Sequence, residues 1–200
     1  GRDSAQHAPT LIAWVLIAVA LMAPFPALAQ TVCPNVPDDG VAYAYGFKFG
    51  SYGSEPGQFN YPQGVATGAA DRIVVADSGG NRIEVFDRDG NYLFAFGGPG
   101  YGDGEFQNPA GVAVDVSGRI VVVDQYNMRI QVFGATGSFQ FAFGGYGYGP
   151  GQFYYPSGVA VDGSGRIVVA DLFNSRVQVF DALGVYQFAV GGYGYGAGGF

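Results

Sequence analysis

Past residue 42 the chain is written in short runs of Val, Ile, Phe and Tyr, each closed by small or polar residues. In the stretch 151–197 these runs fall at 158–162, 166–171, 176–181 and 186–190. Gly163-Ser164-Gly165, Phe173-Asn174-Ser175 and Ala182-Leu183-Gly184 separate them. β-Branched and aromatic residues suit a pleated, half-buried surface, and the separators are turn formers. Beyond Pro24 no stretch places apolar residues at helical spacing over a helix's length. The pattern predicts four strands in this stretch and no helix.

The same pattern is written three times. Phe59, Phe106, Phe153 and Phe200 are 47 residues apart, and Pro62, Pro109 and Pro156 keep the step. So do Asp77, Asp124 and Asp171, and Arg82, Arg129 and Arg176. A fixed period of this size marks a repeat architecture, and four antiparallel strands per period describe a propeller blade. The expected fold is all-β: a β-propeller with three complete four-stranded blades at 57–103, 104–150 and 151–197. An extra strand is expected at 43–49, because Phe49-Gly50 lies 47 residues before Phe96-Gly97.

The blade pattern resembles NHL repeats: F-x-x-P-x-G-V-A-V-D, R-I-V-V-A-D, N-x-R-I-Q-V-F, a Gly turn and F-x-F-G-G. It is found at 106–145 with substitutions, among them Gly134 where the other units carry Asp87 and Asp181. The first unit departs at Thr67 and Gly68, and the third at Val190. The resemblance covers about four fifths of the chain. It implies a six-bladed ring, which three blades and a strand do not fill, so the chain is expected to be a fragment whose open apolar faces associate. It also implies that 43–49 is the outer strand of a closing blade.

Residues 11–23 form an apolar run, interrupted by Pro24 and Pro26 and followed by Ala27-Leu28-Ala29. This is the form of a signal peptide over 1–29. A helix of that length is too short for the hydrocarbon core, so the membrane is expected as a partner only through an uncleaved segment. Residues 30–42 read as a linker. The protein is expected to be exported: periplasmic, extracellular or at the cell surface. Cys33 lacks the small residues before it that a lipidation site would want.

Composition narrows the function. Thirty-five glycines and 16% aromatics fit short strands and tight turns, and 48% hydrophobic residues argue against disorder. A net charge of −7 is a poor match to phosphate backbones, so nucleic acid is not expected as a partner. His7 and Cys33 are single, so no Cys/His zinc site is predicted. A Ser nucleophile would lack its usual base. No catalytic residue, metal or cofactor is expected.

Asp77–Arg82, Asp124–Arg129 and Asp171–Arg176 recur in every unit, which favours a structural polar pair pinning the turn between the second and third strands. Asp87-Arg88-Asp89-Gly90-Asn91 alternates oxygen ligands as a calcium loop does but lacks the distal Glu, and its copies read as a hairpin turn. The Gly/Tyr loops at 97–106, 144–153 and 191–200 are more individual. They join the outer strand of one blade to the inner strand of the next and display Tyr101, Tyr146, Tyr148, Tyr193 and Tyr195 on one rim. These tyrosines either pack over the blade below or bind a partner. Function is expected where the copies differ, at Tyr154, Leu172, Phe173 and these loops. The expectation is an exported interaction scaffold for a protein, glycan or small ligand. The alternative is part of a secreted propeller lyase or lactonase-type hydrolase with its catalytic residues elsewhere.

Overall fold

The computed structural model describes residues 46–68 and 71–192. Contacts divide the chain between Phe47 and Lys48. From Lys48 onward it is built of three four-stranded antiparallel sheets, the blades of a partial β-propeller. Blade 1 is β1 (Pro62–Thr67), β2 (Ile73–Asp77), β3 (Arg82–Phe86) and β4 (Tyr92–Gly97). Blade 2 is β5 (Pro109–Val114), β6 (Ile120–Asp124), β7 (Arg129–Phe133) and β8 (Phe139–Gly144). Blade 3 is β9 (Pro156–Val161), β10 (Ile167–Asp171), β11 (Arg176–Phe180) and β12 (Tyr186–Gly191). In each sheet the strands pair in chain order.

Two details differ from the pattern-based expectation. The inner strand of blade 3 begins at Pro156, two residues early, with its register shifted near the proline. Proline has no N–H to give the ladder and is tolerated at a strand's first residue. The turns after β6 and β10 are single 3-10 turns, Gln125–Asn127 and Leu172–Asn174, each ended by a left-handed residue.

The blades stack face to face, so a central strand is apolar throughout rather than alternating. Every residue of β6 is buried. Ile120 and Val122 join Val74, Ala76, Ile83 and Val85 of blade 1. Val121 and Val123 join Phe153, Ile167, Val169 and Phe180 of blade 3. Blade 3 leaves its far face open: Phe188 and Val190 are exposed, whereas their counterparts Phe141 and Phe143 pack against blade 3.

A phenylalanine triad closes each contact. Phe96 sits 4.7 Å from Phe133 and 6.4 Å from Phe106. Phe143 sits 4.7 Å from Phe180 and 6.5 Å from Phe153. Phe49 stands 4.8 Å from Phe86 and 6.2 Å from Phe59. Phe49 therefore holds the outer-strand seat against blade 1. Of the strand expected at 43–49, residues 46–49 are described and carry no strand assignment, while 43–45 lie outside the described residues. Gly97 and Gly144 end β4 and β8 at φ +99° and +104°, where a Cβ would stand 2.5 Å from the Phe106 or Phe153 ring. Only glycine meets both demands.

Candidate functional site

The aspartate ending each second strand is a fully buried hub. In blade 3, Asp171 Oδ1 accepts from Tyr154 N–H at 2.8 Å. Its Oδ2 accepts from Arg176 Nε at 2.8 Å, Asn174 Nδ2 at 2.8 Å and Gln178 Nε2 at 3.1 Å. Asp124 repeats this with Gln107 N–H, Arg129, Asn127 and Gln131. The donors also reach the crossover loop before their blade. Arg176 donates to the carbonyls of Tyr148, Gly149 and Gln152, and Asn174 to that of Gly147. Arg129 and Asn127 hold Gly102, Glu105 and Gly100 in the same way. The Asp–Arg pairs thus fix both the turn and the backbone of the Gly/Tyr loop.

Blade 1 departs from this. Arg82 Nε donates to Asp77 Oδ2 at 3.1 Å, but Gly80 stands where the other blades have Asn, and Glu84 where they have Gln. Glu84 is buried. Its Oε2 accepts from Gly57 N–H at 3.0 Å. Its Oε1 lies 2.6 Å from Arg82 Nη2, a charge contact that forms no hydrogen bond. Burial pushes the Glu84 carboxyl above the usual carboxylate range, and the neighbouring Asp77 adds to this, while Arg82 and Gly57 oppose it.

Each loop is closed at its base. Phe153 N–H donates to Gly145 O at 2.8 Å and Gly147 N–H to Phe153 O at 3.0 Å, and 98–106 does the same. With the backbone held, the tyrosines turn outward: Tyr101 is 79% exposed, Tyr146 60% and Tyr148 64%. That exposure weighs against their packing over the blade below. Tyr193 and Tyr195 lie outside the described residues.

Tyr146 and Tyr148 join a contiguous aromatic patch. Their hydroxyls are 2.9 Å apart, and both rings meet Tyr154 edge-on at 5.6 and 5.8 Å. Tyr154 touches Tyr155 at 5.5 Å and Phe173 at 5.2 Å. Tyr155 touches Phe173 at 5.0 Å and Tyr126 at 5.6 Å. Phe173 and Tyr126 sit on the 3-10 turns and are exposed. The patch spans blades 2 and 3 and carries no charged side chain.

Sequence reading missed Tyr126 and Tyr155. Their signal was variation between copies: Gly79, Tyr126 and Phe173 share one position, and Tyr61, Asn108 and Tyr155 another. The second is a left-handed position in all three blades, φ 53° each. Asn tolerates that conformation and a bulky Tyr does not. Strain kept at Tyr155, a half-buried ring of the patch, points to a use for it.

At the 87–91 turn the carboxylate is already engaged: Asp87 accepts from Asp89 N–H, Asn91 N–H and Asn91 Nδ2, each at 2.9 Å. Among the described residues no group of three or more His, Cys, Asp or Glu could hold a metal, and no helix is long and apolar enough to cross a membrane. The expected signal peptide, linker, His7 and Cys33 lie outside the described residues.

The NHL repeat profile matches residues 59–86, 106–133 and 153–180. Protein brain tumor of Drosophila melanogaster is 46% identical over 50 residues, 25% of this chain and 5% of that protein. B-box type zinc finger protein ncl-1 of Caenorhabditis elegans is 48% identical over 50 residues, 25% of this chain and 6% of that protein. The chain therefore spans only a small part of these relatives' length. Among solved structures, virginiamycin B lyase from Staphylococcus aureus aligns at TM-score 0.52 and 15% identity, covering 75% of this chain and 45% of that one. The WD40 repeats of RRP9 align at 0.51 and 17%, covering 64% and 38%. These likenesses show the fold alone.

Proposed function

Because this chain is an NHL-repeat protein whose described part is a stack of propeller blades, we propose that it binds a protein partner through the aromatic rim of blades 2 and 3. The observation that carries this is the patch itself: Tyr126, Tyr146, Tyr148, Tyr154, Tyr155 and Phe173 in ring-to-ring contact on loops whose backbone is already fixed. Tyrosine offers a large rigid amphipathic contact area at small entropic cost, and a pre-ordered loop spends little binding energy on ordering. A contiguous exposed aromatic patch of this kind marks an interaction site.

The test is covalent cross-linking to partners from the native source, comparing the wild-type chain with Tyr146→Ser/Tyr148→Ser and Phe173→Ser. The expected result is loss of the cross-linked partners with the melting temperature nearly unchanged. Partners retained by both variants would refute the reading. Export belongs to the same proposal and rests on residues 11–29. Its check is the amino terminus of the native protein: cleavage after Ala29 supports it, and a retained segment in a cytosolic fraction refutes it. A lyase or hydrolase reading that works through His or Cys would need groups beyond residues 46–192, which hold neither.

A further inference from the structure

The charges around the aromatic patch are arranged by the repeat, and they limit what can dock there. On this rim the arginines are committed. Arg82, Arg129 and Arg176 each pair with a buried aspartate, and their side chains are 19%, 16% and 14% exposed. Each also donates from its guanidinium to loop carbonyls. Arg72 and Arg119 project from the opposite end of the strands, onto the carbonyls of Ala135 and Ala182. The rim's acids are not neutralised in this way. Glu55, Asp103 and Glu105 are exposed on the crossover loops. Asp103 and Glu105 share their loop with Tyr101, and Asn127 ties that loop to the turn bearing Tyr126. An acidic loop therefore runs into an uncharged field of tyrosine faces, on a chain of net charge −7.

We infer that this rim recognises an arginine-rich basic segment of a partner protein, with guanidinium groups stacked on the tyrosine faces and paired with Asp103 and Glu105. This rests on the protein-binding reading above and names the partner's chemistry. Arginine is the cation most often found over aromatic faces. Opposite charge at the loop steers the segment toward the rings. An aromatic patch with no free cation cannot repel such a ligand, and the acids would repel a polyanion.

The experiment titrates the chain with a labelled Arg-Gly-Gly repeat peptide and its Lys and Glu versions, and with a proline-rich peptide and a neutral glucan oligosaccharide. The expected order is Arg above Lys, with no binding of the Glu version. Tyr146→Ser/Tyr148→Ser should weaken the Arg peptide about five- to thirtyfold, at roughly 0.5–1 kcal/mol per exposed ring. Tyr146→Phe/Tyr148→Phe keeps both ring faces and should keep most of the affinity. Asp103→Asn with Glu105→Gln should weaken binding and flatten its salt dependence, and Glu105→Gln retains the loop cap that Gln152 makes in the next copy. Basic peptides that fail at low salt overturn the inference. So does basic binding that survives Tyr→Ser, which is charge attraction alone, or patch-dependent binding of the glucan or proline-rich peptide instead. If the Tyr→Ser chain loses its cross-linked partners while basic peptides fail, the inference falls and the scaffold reading stands. If partners are retained as well, both fall.

Discussion

Replacing Glu84 by Gln should stabilise the protein, and blades 2 and 3 supply the reason. Gln131 accepts from Gly104 N–H at 3.0 Å and donates to Glu105 O at 2.7 Å and Asp124 Oδ2 at 3.1 Å. Gln178 does the same at 2.9, 2.7 and 3.1 Å. Glu84 keeps the acceptor role toward Gly57 but has no amide donor, and it sets a second buried carboxylate beside Asp77. The amide would add two buried hydrogen bonds, one to a carboxylate, at roughly 1 and 2 kcal/mol. Against this stands the lost contact with Arg82, which retains Asp77. The net expectation is about 2 kcal/mol once Glu84 is ionised, or about 4–8 °C in Tm for a chain of this size.

The gain should depend on pH in a definite direction. Glu84's folded pKa is raised above its unfolded value, so the native state holds a proton that the unfolded chain has released. Its contribution to stability is fully present below the usual Glu value and is lost as pH rises through the raised one. The advantage of Glu84→Gln should therefore be small in acid, where the protonated carboxyl resembles the amide, and reach its full size above the raised pKa. Thermal melts of both chains across this range measure it. A Tm gain that shrinks as pH rises would show that the Arg82–Glu84 contact is net stabilising. The mirror substitution Gln178→Glu should lose a similar amount, increasingly so at higher pH.

Asp171→Asn should cost about 3 kcal/mol in denaturant unfolding, because it leaves a largely buried Arg176 uncompensated and disturbs a hub with four donors. Met128→Asn should stabilise by about 1 kcal/mol in the same assay: Met128 is left-handed at φ 53° and offers Asn-like contact only through Sδ, 3.1 Å from Tyr155 N–H. Its blade-1 counterpart Asn81 is equally left-handed and accepts from Asn108 N–H at 2.8 Å. The turn aspartates work opposite to Glu84. Burial raises the Asp115 pKa, but its hydrogen bonds to Ser117 and Arg119 and the Arg119 charge outweigh it, and hydrogen bonds from Ser164 and Arg166 lower Asp162 strongly. Their stabilisation should be present above pH about 3.8 and fade as pH falls through their depressed values, read as acid unfolding that Asp162→Asn blunts.

The blade is legible in the sequence because each strand is bounded by turn residues and the unit is written three times. The shared Phe, Pro, Asp and Arg positions report the scaffold. What the pattern does not carry is how far each polar side chain reaches. Arg176 spans from Asp171 to three loop carbonyls more than twenty residues away, and spacing alone shows only the aspartate. The aromatic patch is harder still. Tyr126 sits on the turn after β6 and Tyr146 on the crossover loop after β8, and they meet only through Tyr154, Tyr155 and Phe173. Tyr148 recurs as Tyr101 and Tyr195, but Tyr126, Tyr154 and Phe173 stand where the other copies carry different residues, so the patch as a whole leaves no periodic mark.

Phe49 has a consequence for assembly. A stack of identical slabs with bare ends would invite further slabs, and so open-ended growth. Here the outer seat against blade 1 is filled by Phe49, the place that Phe96 and Phe143 occupy at the internal contacts. A whole blade arriving from another copy would bring Val190 to that same seat. A blade that already carries its own outer strand would have to displace Phe49 to occupy that seat, so the ring reserves it for this chain's own segment.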